Sequence, residues 1–99
     1  MVTEHVTFAV EPARRDEFES EAVPRARAIL ERLGAHAIVV GRAVEDPTTY
    51  VMTAHWESVG AHMSIIDDPE LAAFRDWSDS FYSSPPVLVH LEPVEGNTT

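Results

Sequence analysis

From Tyr50 to Trp56 the chain alternates strictly. Tyr50, Met52, Ala54 and Trp56 fall on one face of a strand, and Val51, Thr53 and His55 on the other. Two aromatic rings and a methionine on one face suggest a strand lining something large, either a core or a cavity. The alternation stops at a Trp-Glu-Ser corner. There Ser58 is placed to cap a helix carrying Val59, Ala61, His62, Met63, Ile65 and Ile66.

The remaining segments arrange themselves around this strand–helix unit. Val2 to Val10 reads as a half-buried strand with Val2, Val6, Phe8 and Val10 on one face and Thr3, His5, Thr7 and Ala9 on the other. Glu11-Pro12 ends it and opens a helix whose apolar stripe runs through Phe18, Ala22, Ala26, Ile29, Leu30 and Leu33. Pro24 predicts a kink or break near Ala22-Val23, and Gly34 a C-terminal stop. Ala37-Ile38-Val39-Val40 is apolar at both parities, as expected of a strand covered on both sides, and Glu45-Asp46-Pro47 is a hairpin connection. Asp68-Pro69-Glu70 starts another helix, with a stripe through Leu71, Phe74, Trp77 or Ser78, and Phe81. Ser83-Ser84-Pro85-Pro86 is expected to end it, Val87 to Val94 to form the last strand, and Gly96 to Thr99 to fray. The result is a single α+β domain over residues 1–95, in the order βαββαβ with the second helix split, followed by a disordered tail at 96–99. Two helices cover only one face of a four-stranded sheet. The other face, semi-polar and uncharged at Thr3, His5, Thr7, Val51, Thr53 and His55, predicts a homodimer built sheet against sheet.

Seventeen acidic residues against seven arginines, with no lysine, give a net charge of −10. That field repels phosphate backbones and anionic lipid, so nucleic acid and membrane are excluded as expected partners. The absence of cysteine removes disulfides, thiolate catalysis and sulfur-ligated metals. Neither a signal peptide nor an apolar run of membrane-spanning length is visible, which leads to an expected cytoplasmic location. The five histidines lack tight ligand spacing, and His5 and His55, although of one parity on strands expected to neighbour each other, have no carboxylate of that parity nearby. No metal is expected. Asp67-Asp68 is accounted for by the helix start before Pro69.

The chemistry that can be read from the residues lies in Trp56, His62 and Arg75, with Tyr50, Met52 and Trp77 around them. Trp56 shares the helix-side face with Phe8, His62 follows six residues later near the mouth of any gap between helix and sheet, and Arg75 adjoins Phe74 on the next helix. An aromatic wall, a titratable imidazole and a permanent cation suit a flat, acidic, largely apolar ligand. The alternative keeps Trp56 in the core, His62 on the surface and Arg75 paired with Asp79 at i+4.

Taken together, the strand–Trp56-Glu57-Ser58–helix unit, Asp68-Pro69 with Phe74-Arg75-x-Trp77, Pro85-Pro86 and the closing Leu91-Glu92-Pro93-Val94 resemble the antibiotic biosynthesis monooxygenase (ABM) family of dimeric α/β barrels. The resemblance implies a ferredoxin-like fold with a four-stranded antiparallel sheet, a sheet-to-sheet dimer, and a pocket between sheet and helices. Some members oxygenate polycyclic phenols with dioxygen and no metal, flavin or haem, while others degrade haem or isomerise. The family's pocket tryptophan matches Trp56 and its helical arginine Arg75. Its tyrosine position falls on His62, and its strand asparagine on Met52. No haem ligand is in place, since the axial histidine position falls near Phe74. Three readings follow. One is a cofactor-independent oxygenase of a polyketide-type phenol, with His62, Arg75 and Trp56 as catalytic residues and Tyr50, Met52, Phe8, Phe74 and Trp77 around the substrate. The second is a cyclase or isomerase using His62 as acid–base. The third is a non-catalytic ligand-binding dimer.

Overall fold

The computed structural model describes residues 1–96. Strands β1 (Val2–Val10), β2 (His36–Arg42), β3 (Thr49–Trp56) and β4 (Tyr82–Leu91) form one antiparallel sheet in the order β2-β3-β1-β4. The helical layer consists of α1 (Arg15–Glu17), α2 (Val23–Arg32), α3 (Val59–Met63) and α4 (Pro69–Ser78). This is a ferredoxin-like α+β fold. Its central pair, β1 and β3, sets Val6 opposite Met52 and Phe8 opposite Tyr50, so the inward parities of both strands face the helices. The tail expected to fray lies, apart from Gly96, outside the described residues.

Local chemistry explains each element. Between α1 and α2 the chain widens into a π-helical turn, Phe18–Ala22, where the Val23 amide bonds back to the Phe18 carbonyl. Pro24 follows at once. It has no N–H to donate and its ring crowds the preceding turn, and the wider turn relieves both. The helix therefore continues with one local change of pitch. It ends in a Schellman motif: the Ala35 amide reaches the Leu30 carbonyl (2.9 Å) and the Gly34 amide the Glu31 carbonyl (3.2 Å), with Gly34 at φ 115°. Ser58 caps α3 by accepting from the Ala61 amide, and Asp68 caps α4 by accepting from the Leu71 amide while it also pairs with Arg32 at 2.8 Å. Asp46 closes the β2–β3 hairpin through the Thr48 amide and both threonine hydroxyls.

Two expectations are corrected. β2 is not covered on both sides but is an edge strand: Ile38 is buried, whereas Val39 is 61% exposed. Its register shifts between His36 and Val39, where Ala37 adopts φ 54°. β4 begins at Tyr82, not Val87, and runs through Pro85-Pro86 rather than starting after them. Prolines are tolerated there because β4 is the other edge strand and its pairing with β1 skips from Val87 to Ser84. The strand stops at Leu91, before Glu92-Pro93-Val94.

The outer face of the sheet, opposite the helices, carries Val39, Val51, Val87, Val89 and Leu91 alongside Thr3, His5 and Thr7. Among the described residues no helix is long and apolar enough to cross a membrane.

The Gly34 turn can be tested in isolation. A Cβ added there would meet only Trp56, at 3.8 Å, so Gly34→Ala adds left-handed backbone strain without a clash. Urea denaturation is expected to show a loss of about 1–2 kcal/mol.

Candidate active site

A cavity of about 290 Å³ opens between the sheet and the helices. Its walls draw on both halves of the core, Val6, Met52 and Leu71 from one and Phe18 and Ala22 from the other, together with Phe8 and Phe74. The polar groups that reach it are few: Glu4, His62, Arg75, Ser78, Asp79 and Tyr82. Apolar walls with a handful of convergent polar groups are the usual make-up of a small-molecule site, and this volume lies at the small end of the typical range of roughly 300–1,000 Å³.

Glu4 organises the polar end. It is 4% exposed, on the inward parity of β1 that otherwise holds Val2, Val6, Phe8 and Val10. The Trp56 indole N–H donates to Glu4 Oε1 at 2.9 Å. His62 Nε2 lies 3.5 Å from the same oxygen, too long for a good hydrogen bond but close enough for charge to be felt. The imidazole stacks on the indole, with centroids 4.8 Å apart and planes 21° off parallel. On its other side His62 Nδ1 is 2.7 Å from His90 Nε2, and β4 places His90 directly opposite Glu4. Burial lowers the pKa of His62 below its ordinary 6.5; Glu4 opposes this, and His90 and Arg75 add to it. His62 is thus a buried, neutral base beside a carboxylate.

Arg75 lines the cavity without a partner: among the described residues it makes no salt bridge and no side-chain hydrogen bond. Five of the other six arginines are engaged, while the buried Nε of Arg15 finds no hydrogen-bond partner among the described residues. Arg32 pairs with Asp68 and Glu70, Arg42 with Glu19, Arg14 with Glu17, Arg27 with the Ile38 carbonyl, and Arg25 lies over Trp77. Tyr82 also lines the cavity. Burial holds its phenol above the usual tyrosine pKa, with Ser78 opposing this and Asp79 adding to it, which keeps it a proton donor.

The structure brings His62, Arg75, Met52, Phe8 and Phe74 to the cavity wall. Three other residues expected there are elsewhere. Trp56 is fully buried behind His62, so it acts on the site through Glu4 and the imidazole rather than as a wall. Tyr50 is buried with its hydroxyl donating to Glu19, beside Arg42. Trp77 packs on Phe81 at 5.1 Å and borders a separate groove between α2 and α4. His62 is 7% exposed and not a surface residue, and Arg75 forms no ion pair with Asp79. His5 and His55 sit one pairing step apart, opposite Thr53 and Thr3, and no group of three metal-ligating side chains occurs among the described residues. Glu4, His90 and Tyr82 were missed. The signal for Glu4 was present, as a charged residue at an inward position of an otherwise apolar strand face.

The family model for antibiotic biosynthesis monooxygenases matches residues 1–80. This chain belongs to that family. A solved structure from Bordetella bronchiseptica, assigned to the same monooxygenases, is 28% identical, with a TM-score of 0.83 over 95% of this chain and 97% of that one. SnoaB, a cofactor-independent oxygenase from Streptomyces nogalater, solved as a point variant, has a TM-score of 0.84 at 20% identity over 99% and 97%. A Caulobacter crescentus protein assigned to the family has 0.81 at 20% identity over 95% and 90%. A search of the curated proteins gives no match. In this ABM chain the core tryptophan holds a buried carboxylate against an imidazole, a polar unit assembled from β1, β3, α3 and β4.

The depressed His62 pKa has a thermodynamic consequence. The unfolded chain binds this proton more readily than the folded one, so the stability contribution is full above the unfolded value near 6.5. It is lost as pH falls through 6.5 toward the lower folded value, and then levels off. Denaturation of the wild type and His62→Gln from pH 8 to 5 is expected to show this slope in the wild type alone.

Proposed function

We propose that this ABM protein is a cofactor-independent monooxygenase acting on a small aromatic, polyketide-type phenol with dioxygen as co-substrate. The observation that carries the reading is a neutral imidazole beside a buried carboxylate and an unpartnered guanidinium, both opening on one apolar cavity. Family membership and the likeness to SnoaB support it.

In this reading the chain contributes pre-organisation. Phe8, Phe18 and Phe74 hold the rings and limit water around them. His62 removes a proton from the acidic phenol or its methylene tautomer, and Glu4 stabilises the imidazolium that forms. Arg75 stabilises the resulting phenolate, and the apolar surroundings strengthen that interaction. The electron-rich carbanion reduces dioxygen directly and forms a carbon–peroxide anion. Once protonated, this loses water to leave a carbonyl, so one substrate CH₂ and one O₂ become C=O and H₂O. Met52 offers no hydrogen bond where other ABM oxygenases are expected to carry an asparagine, so orientation here rests on Arg75 and the Tyr82 hydroxyl.

The test is turnover of an anthrone-like tricyclic phenol by purified protein in an oxygen electrode. The expected result is stoichiometric oxygen uptake, accelerated over buffer and abolished anaerobically. Arg75→Gln should lower kcat/KM about 10- to 100-fold, the equivalent of one charge-assisted hydrogen bond worth about 1.5–3 kcal/mol. No oxygen-dependent acceleration removes the reading. Conversion that proceeds equally without oxygen and is lost in His62→Gln points instead to a cyclase or isomerase, for which the Glu4–His62 pair would suffice.

We also propose that the chain works as a homodimer through the outer sheet face. Val87 (63% exposed), Val39 and the neighbouring Val89 and Leu91 form an apolar area that water would otherwise wet, and it shares the sheet with the strands lining the site. Sedimentation of the wild type should give a dimer and Val89→Glu a monomer. A monomeric wild type at tens of micromolar sinks the proposal.

A further inference from the structure

The polar end of the cavity does not stop at His62. His62 is almost fully buried, and its Nδ1 lies 2.7 Å from Nε2 of His90, a half-buried side chain on the edge strand β4. The ring planes are inclined at 65° with centroids 5.0 Å apart, and the short nitrogen–nitrogen distance requires one facing nitrogen to carry the proton and the other the lone pair. Glu4, held by the Trp56 N–H, lies on the far side of His62 from this bond. A buried imidazole thus has a carboxylate at one nitrogen and a second, more exposed imidazole at the other. Imidazole takes a proton at one nitrogen and releases one from the other, so two rings in series conduct a proton without moving.

We propose that His62 and His90 form a proton relay that connects the cavity to solvent, with Glu4 and Trp56 as the positioning residues that hold the inner ring in line. As an account of turnover it rests on the oxygenase reading above. A proton arriving from the substrate at His62 Nε2 is matched by transfer of the Nδ1 proton to His90 Nε2, and His90 releases one from Nδ1 to water. The reverse transfer returns one proton to the peroxide anion, so protons balance over the cycle and no redox change occurs in the protein. The groups facing His62 are Glu4 from β1, Trp56 from β3, His90 from β4 and Arg75 from α4. Burial, any positive charge on His90 and the Arg75 guanidinium disfavour the imidazolium, and only Glu4 favours it, so charge is passed on rather than stored on His62.

The experiment compares the wild type, His90→Gln and Glu4→Gln by NMR with ¹⁵N-labelled histidine, and then by kinetics. Without substrate, His90→Gln is expected to slow solvent exchange of the His62 ring N–H at least tenfold and to raise its titration midpoint, and Glu4→Gln to lower that midpoint. In turnover, His90→Gln should reduce kcat in weakly buffered solution with KM within twofold, and added imidazole should restore it. Exchange at His62 that is unchanged or faster in His90→Gln overturns the relay, as does a kcat loss that imidazole fails to restore. If exchange slows but no substrate shows oxygen-dependent turnover, the relay stands as a proton path and the oxygenase reading is what has failed.

Discussion

A carboxylate buried inside a 99-residue domain is costly unless its charge is met, and Glu4 is the group on which this site depends. It is met by the Trp56 N–H at 2.9 Å and by the edge of His62. Each partner is fixed by a different element. Trp56 ends β3, His62 lies one turn into α3 beyond the Ser58 cap, and Glu4 is pinned by the β1–β3 register that also sets Val6 against Met52. The corner between Trp56 and Ser58 is short enough that the indole and the imidazole it flanks can stack. Register, cap and stack therefore converge on a single oxygen atom.

The same geometry explains why the cavity is open at all. The aromatic rings of the second core cluster, Phe18, Tyr50 and Phe81, pack among themselves at one end, and the Glu4 unit occupies the other. Between them the helices rest on the sheet through medium-sized side chains such as Met52, Leu30 and Leu71, which leave space rather than fill it. The π-turn forced by Pro24 belongs to this wall, since Phe18 and Ala22 on that turn face the cavity. A backbone irregularity and a buried charge, each unfavourable alone, thus lie at the boundary of the apolar cavity.

Much of this was legible from residue order. Parity along residues 2–10 and 50–56, the two helix caps, the Gly34 stop and the Pro24 irregularity are consequences of local stereochemistry, and the structure shows each in place. Strand edges were less legible, because Val39 looks the same whether it faces a core or an unpartnered sheet face, and Pro85-Pro86 reads as a stop unless β4 is known to be an edge. At the site, sequence pointed to His62, Arg75, Met52, Phe8 and Phe74 and overvalued three other aromatics. Tyr50, Trp56 and Trp77 are large enough to form walls, but each found a polar or aromatic partner elsewhere.

The amino-acid sequence by itself determined the element order, the inward parities and the chemical types available, since these depend on neighbours a few residues apart. Only the tertiary structure decided that Glu4, His62 and His90, separated by 28 to 86 positions, would meet. That meeting depends on strand order and register, which place β4 beside β1 and His90 opposite Glu4. Pairings of that kind are selected by the burial of the whole sheet, a sum over many distant contacts that no single stretch of chain encodes.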